Sequence, residues 1–362
     1  MKTMKMNSSV GCILAIDLGK YKSVACLYPA ASGQAEVCFR SFDTSRDELA
    51  DLLEQVKPAV LVIEACALSG WVHDLSVAHG VPCQVANTAS EAWKFKHTKR
   101  KTDKDDALRL AQLFALGQLP TVTIPSPADR QWKSVIAGRQ ALVGRRVAVQ
   151  NRIRGLLVGQ GLPMPRGAKA WTEIGLKGIE QLAKPLAECA LEEVWRGMLG
   201  QAVAEFRQIR ELIDQIEKKL DAIGKQKPAV KILESMPGVG PRTAETIAAH
   251  LGDATRFKTS GQVSAYAGLV PKQFQSGETD RRGRITRRGP AVLRKLLVEC
   301  AWCALRYNKW AQRVYLRISH GGKVRKKQAI VALARKILVR CWAMLRDGVP
   351  WREDPKPAPV AA

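Results

Sequence analysis

The stretch HTKRKTDKDDALRL, His97 to Leu110, sets three aspartates within four positions directly behind a run of bases. Asp103 and Asp106 are three residues apart, so on a helix they share one face. Two more acids close apolar runs: Asp17 ends CILAID and Glu64 ends VLVIE. Open α/β sheets hold ligands at the carboxyl ends of their strands. Four carboxylates converging there repel one another unless a cation intervenes. Mg2+ or Mn2+, hard ions that take oxygen ligands, would relieve that repulsion. Two such ions about 4 Å apart would polarise a phosphate and orient the attacking and leaving oxygens. A plainer reading makes the same acids a helix start. Thr102 or Asp103 would cap it, acids would fill the first turn, and Ala-Leu-x-Leu-Ala-Gln-Leu would supply the apolar stripe. Asp105 falls about 200° from Asp103 around the helix axis and stays outside the metal set.

A second candidate chemistry sits in FQSGETDRRGR. Ser276 offers a hydroxyl, Gly277 permits close approach of a phosphate, and Arg281, Arg282, Arg284, Arg287 and Arg288 follow within 12 residues. Those guanidinium groups could clamp a phosphate whose charge rises in a transition state. Taken alone, a serine before glycine in a polar loop is ordinarily a turn residue. No histidine stands in an obvious place to act as its base.

The charge points the same way. The 362 residues carry a net +25, and between Pro271 and Arg346 there are 20 Lys and Arg against 3 acids (Glu278, Asp280, Glu299). A solvated face mixes signs, so this segment is expected to meet a polyanion, nucleic acid rather than membrane. No apolar run approaches the roughly 20 residues that span a bilayer. The run from Cys12 to Ile16 is too short for a signal peptide. Nine cysteines, mostly among apolar neighbours, read as reduced core thiols of a cytosolic protein. The lone CxxC, Cys300 and Cys303, reads as helix core rather than zinc.

These residues need a scaffold to bring them together. Over the first 120 residues CILAIDLG, SVACLYPA and AEVCFRSF read as strands, the last two joined at Ser32-Gly33. SRDELADLLEQV is a helix capped by Ser45, AVLVIEAC a buried strand, GWVHDLSVAHG a helix, VPCQVAN a fifth strand, and a last helix begins at Thr102. The order β-β-β-α-β-α-β-α is that of an RNase H-like fold. Right-handed crossovers place the strand from Ala59 parallel beside the first. Residues 125–228 read as helical, with Val135, Leu142, Val149 and Leu156 every seven residues in one long basic helix. A second helix carries Phe206, Ile209, Ile213, Ile216 and Leu220. Together they predict an antiparallel helical hairpin or coiled coil, serving dimerisation or simple intrachain packing. ILESMPGVGPRTAETIAAHLGD predicts a helix-hairpin-helix whose second helix aims its amides at a phosphate. After it come a short helix, a Gly- and Arg-rich loop, a helix, and a final helix with Ile330, Leu333, Ile337 and Leu338 inward. The expected fold class is thus α/β plus α. Its divisions are 1–124 RNase H-like, 125–228 helical, 229–347 a mostly helical C-terminal domain, and 348–362 a disordered tail.

In these motifs the chain resembles the DEDD transposases of the insertion-sequence 110/1111 group, which includes Piv-type DNA invertases. The matching stretches are IDLGK, VIEAC, RKTDKDDALRLAQL, MPGVGPRTA, AYAGLVPKQFQSGETDRRGRITRRG and KKQAIVALARKIL. Two departures are EACALSG where the family often has EATGGY, and SGET where it commonly has SGGK. The resemblance implies a RuvC-like metal tetrad of Asp17, Glu64, Asp103 and Asp106 binding Mg2+ or Mn2+. It implies that Ser276 attacks the DNA backbone and becomes joined to it, with the metal site or a tetrad carboxylate supplying the base. It also implies a structured noncoding guide RNA whose loops pair with donor and target DNA, a homo-oligomer (dimer or tetramer), and a bacterial, nucleoid-associated cytoplasmic setting. The basic helix from Arg130 to Arg154 suits RNA and DNA equally. Three other readings stand beside this one. A Piv-like invertase would use every residue named. A structure-specific nuclease or resolvase would use the tetrad alone. A non-catalytic binder would use the acids only as caps.

Overall fold

The structure, a computed structural model, describes residues 11–29, 36–87, 102–164, 166–276 and 279–353. The Ser32-Gly33 turn, the bases from His97 to Lys101, Gly277 and residues 354–362 lie outside the described residues. The chain divides into two compact units, Met1–Pro127 and Ala128–Ala362.

In the first unit, β1 (Cys12–Asp17), β2 (Lys22–Pro29) and β3 (Cys38–Asp43) form an antiparallel meander. Helix α1 (Arg46–Val56) follows, with the Ser45 side chain accepting from the Glu48 amide as expected. Then come β4 (Val60–Glu64), α2 (Ser69–Ala78), β5 (Cys83–Ala86) and α3 (Asp103–Ala115). The sheet order is β3-β2-β1-β4-β5, with β4 parallel to both β1 and β5. The right-handed crossover rule thus gave the correct neighbour for β1. The two sheet faces divide the apolar residues by alternation. Leu14, Ile16, Leu61 and Ile63 pack with the leucines of α1. Ile13, Ala15, Val60 and Val62 pack with Ala107, Leu110 and Ala111 of α3.

In the second unit, α4 (Pro127–Gly159) and α6 (Val194–Lys225) form the expected antiparallel hairpin, with the short α5 (Glu173–Glu180) between them in sequence. The direction follows from ion pairs: Arg139 meets Glu217, whereas Arg145 and Arg152, further along α4, meet Glu205, further back on α6. The two helices pack on each other within the chain. The apolar seam differs from the heptad reading. Trp132, Ile136, Val149, Ile153 and Leu157 are buried, while Val135, Leu142 and Leu156 flank them half-buried. The cause is a change of partner along the helix. Trp132 and Ile136 belong to the C-terminal core, and the residues from Val149 onward to one centred on Phe206.

The C-terminal core is built from α7 (Pro228–Glu234), α8 (Pro241–Leu251), α9 (Ser260–Tyr266), α10 (Ala291–Tyr307), α11 (Lys309–Ile318) and α12 (Lys326–Asp347). Helices α7 and α8 with their tight turn make the expected helix-hairpin-helix, and Ile330, Leu333, Ile337 and Leu338 are inward as read. Two expectations fail. The Gly- and Arg-rich loop is instead a two-stranded ribbon, β6 (Pro271–Ser276) and β7 (Thr279–Ile285). The start of the tail is docked, not disordered: Trp351 packs edge-on to Trp310, and its amide donates to the Ser235 hydroxyl. All nine cysteines are free, but Cys38, Cys66 and Cys303 are exposed, so the all-core reading holds only for Cys12, Cys26, Cys300 and Cys341. No helix among the described residues is long and apolar enough to cross a membrane.

Candidate active site

Ile16 pairs with Ile63 in the parallel register of β1 and β4, so the next residues along are Asp17 and Glu64, both half-buried. Counting by twos from Ile13 and Val60 puts both on the face that α3 covers. The strand exit after Glu64 is tied by Ser69, whose buried hydroxyl donates to the Glu64 carbonyl and accepts from the Cys66 amide. Sequence reasoning did not single out Ser69, although a serine opening a helix just past a strand is a recognisable tie.

The first turn of α3 separates the aspartates by role. Thr102 is the cap, and Asp105 reaches back to its amide and hydroxyl in a reciprocal capping box. Asp105 is therefore held by the cap. Asp106 is turned into the unit and only 7% exposed. Asp103, one turn earlier on the same helix, is exposed. The helix-start answer to the crowding of acids thus applies to Asp105, whereas Asp106 points inward. The structure thus brings Asp17, Glu64 and the inward Asp106 to one side of one sheet. Among the described residues, no group of three or more Asp, Glu, His or Cys stands close enough to hold an ion.

Ser276 and the arginines belong to the second unit. Ser276 ends β6 and pairs with Thr279 across the two-residue connection 277–278. Arg281 pairs with Phe274, and Arg282 with Gln273. Arg281, Arg284, Arg287 and Arg288 are exposed. The ribbon's root is fixed. The Thr286 amide donates to Val270 O and the Arg287 amide to Gly268 O. Arg294, in the first turn of α10, donates to the carbonyls of Ala267, Arg288 and Gly289. Gly268 and Gly289 sit at positive φ with backbone oxygens where a Cβ would stand, so both positions require glycine. Burial and nearby Arg287 pull the Arg294 pKa below its usual value. Arg294 is the positioning residue that sequence reasoning missed, because one arginine among many at a helix start carries no local signal.

Elsewhere several basic residues are paired with acids. On the hairpin, three of the seven Lys and Arg of α4 pair with α6 acids: Arg139 with Glu217, and Arg145 and Arg152 with Glu205. Arg207 and Arg210 hydrogen-bond Glu173 and hold its carboxyl below the usual range. In α8, Glu245 is 1% exposed, paired with Arg242, which also meets Asp221. Burial outweighs the guanidinium and pushes the Glu245 carboxyl up to about 7.

Residues 14–160 match a family model described as a transposase of the DEDD type, and residues 230–316 match one described as the transposase IS116/IS110/IS902 family. The chain is 31% identical over 312 residues to the transposase for insertion sequence element IS1111A of Coxiella burnetii, covering 83% of this chain and 81% of that one. It is 28% identical over 327 residues to a probable family 20 transposase of Pseudomonas aeruginosa, covering 85% and 90%. It is also 30% identical over 146 residues to the pilin gene-inverting protein of Moraxella bovis, covering 40% and 45%. The protein is a DNA transposase, an enzyme that cuts and rejoins DNA. Within that class it belongs to the insertion-sequence 110/1111 family.

Proposed function

We propose that this transposase cuts and rejoins DNA with two sets of groups: an acidic tetrad on an RNase H-like (RuvC-like) domain and the Ser276 nucleophile of a C-terminal serine transposase domain. The observation that carries the reading is the register that sets Asp17 beside Glu64 on the face covered by α3, whose first turn holds Asp103 and Asp106. The donor set is all carboxylate oxygen, which fits Mg2+ or Mn2+. Asp17, Glu64, Asp103 and Asp106 would hold the ion, which when bound would offset their repulsion and polarise a phosphate.

The Ser276 hydroxyl attacks phosphorus in the DNA backbone. Its P–O bond forms as the bond to a deoxyribose oxygen breaks, the serine proton passes to a carboxylate, and the departing sugar oxygen takes up a proton. Attack by a sugar hydroxyl of another DNA end on the phosphoserine reverses these steps and frees the serine. One phosphoester bond replaces another at each stage, so no external energy source is needed. Arg281, Arg282, Arg284, Arg287 and Arg288 stabilise the charge on the phosphate. We also propose an element-encoded guide RNA that reads donor and target by base pairing while the protein holds backbone. A homo-oligomer, dimer or tetramer, completes this reading. The likeness to a gene-inverting protein supports a second reading, in which the same residues invert a DNA segment.

Asp17→Asn and Asp103→Asn should abolish strand cleavage while the fold persists by circular dichroism, and recombination that continues in excess EDTA would rule out the tetrad. Ser276→Ala should lose the covalent protein–DNA adduct on denaturing gels yet still bind DNA. If it cleaves as well as wild type, a tetrad-only nuclease replaces the serine mechanism. Removal of co-purifying RNA by ribonuclease should abolish target choice, and unchanged choice would exclude a guide.

A further inference from the structure

At the root of β6, helices α9, α11 and α12 surround a cleft of about 750 Å³. Its rim carries five cations, Arg313 and Arg317 from α11 and Arg335, Lys336 and Arg340 from α12, and no acid lines it among the described residues. Two of the five are engaged: Arg313 pairs with Glu353, and Arg340 lies over the rings of Trp310 and Trp351. Arg317, Arg335 and Lys336 make no ion pair among the described residues. Like charges directed into one hollow repel, and an anion entering it removes that repulsion.

The floor narrows the choice of anion. Val270, Val314 and Val339 line it beside Trp310. A track for phosphates alone has no use for an apolar floor, whereas a base has a flat apolar face. A sphere of that volume is about 11 Å across, within the range of pockets that hold one small ligand and too narrow to take in a whole duplex, whose major groove alone is about 12 Å wide. Gly261 of α9 adds room at the edge, since a Cβ there would meet only the Thr259 hydroxyl at 3.6 Å.

We propose that this cleft is a second nucleic-acid site, which takes one or two unpaired nucleotides, their phosphates on Arg317, Arg335 and Lys336 and a base on the valine floor. The inference rests on nucleic acid being the chain's substrate and is independent of Ser276 and of the tetrad. Unpaired DNA and unpaired RNA share the chemistry, so the probes include both.

The test uses the full chain and fluorescence anisotropy over a salt series. The probes are a hairpin with an unpaired loop, as DNA and as RNA, and a blunt duplex. Arg317→Gln/Arg335→Gln/Lys336→Gln should bind the loop probes at least tenfold more weakly and lower the log–log salt slope by about two, at roughly 0.7 per phosphate contact on a single strand. Duplex binding should change far less. Gly261→Tyr, which fills the cleft without altering charge, should show the same selective loss, and serves alone if the triple variant melts early. Preference for the RNA loop would assign the site to RNA, and equal affinity would assign it to backbone common to both. Equal loss on loop and duplex, or full loop binding by Gly261→Tyr, would overturn the proposal. The readout here is loop affinity and that of the serine reading is the covalent adduct, so failure of either remains separate.

Discussion

Helix α4 carries seven Lys and Arg against a single Asp, a bias comparable to that of the segment from Pro271 to Arg346. The two regions use their cations differently. Along the helical hairpin, guanidinium groups meet carboxylates of the facing element: Arg139 with Glu217, Arg152 with Glu205, Arg207 with Glu180 and Glu173. In the C-terminal segment 3 acids stand against 20 cations, and Arg281 and Arg284 of the ribbon are exposed. A sequence-level charge therefore measures how many cations exist, whereas the folded partner decides how many remain for a phosphate. Part of the hairpin's charge joins two helices, whereas Arg281, Arg284, Arg287 and Arg288 stand exposed.

The sharpest way to separate these roles is to weaken the hairpin core. Phe206 is fully buried and packs against Trp171 at 5.1 Å between ring centroids. Phe206→Ala should cost about 3–5 kcal/mol in chemical denaturation, while the salt slope of nucleic-acid binding by the folded protein stays unchanged. A changed slope would show that the hairpin itself carries phosphate contacts.

The direct test of the charge contrast pairs two double variants. Arg284→Ala/Arg287→Ala should lower the log–log salt slope on duplex DNA by about two. Arg145→Ala/Arg152→Ala should leave that slope alone and cost at most about 1 kcal/mol, as exposed ion pairs do. Similar slope changes in both would erase the distinction between the regions.

A smaller effect concerns pH in the core where α8 meets the base of the hairpin. Glu245 titrates near 7 in the fold against an ordinary 4.5, because burial disfavours its charge. The folded state then binds the extra proton, so stability falls as pH rises from about 4.5 to about 7. His250 runs the other way. Burial, Lys133 and Arg256 lower it from 6.5 to about 4, so stability falls as pH drops through that window. The two slopes oppose each other between about 4.5 and 6.5. Glu245→Gln should remove the first, gain stability above pH 7 relative to wild type, and expose a steeper loss toward pH 4. Parallel denaturation profiles for variant and wild type would refute the assignment.

Legibility in the sequence followed locality. The Ser45 and Thr102 caps, the β1 and β4 strands and the inward face of α12 rest on short-range patterns, and each was readable. The seam of α4 was not, because its first half packs on the C-terminal core and its second on the Phe206 core, so no single stripe describes it. The β6–β7 ribbon was invisible for another reason. Its described side chains are largely exposed, so among them no buried face imposes alternation, and backbone pairing holds it. Trp351 looked like tail because its partner, Trp310, is 41 residues away. At the candidate site the acids were legible as types at strand and helix ends, whereas the division between Asp105 as cap and Asp106 as inward acid needed the fold.

The pinned root of the ribbon makes its length a ruler. Thr286, Arg287 and Arg294 fix where it starts, so the position at its tip depends on how many residues precede it. Two residues added to each strand would advance the tip by about 6.6 Å and keep every position on its face. One residue added to each would advance it half as far and exchange the faces. The reach of this ribbon can therefore vary without exchanging its faces only in steps of two.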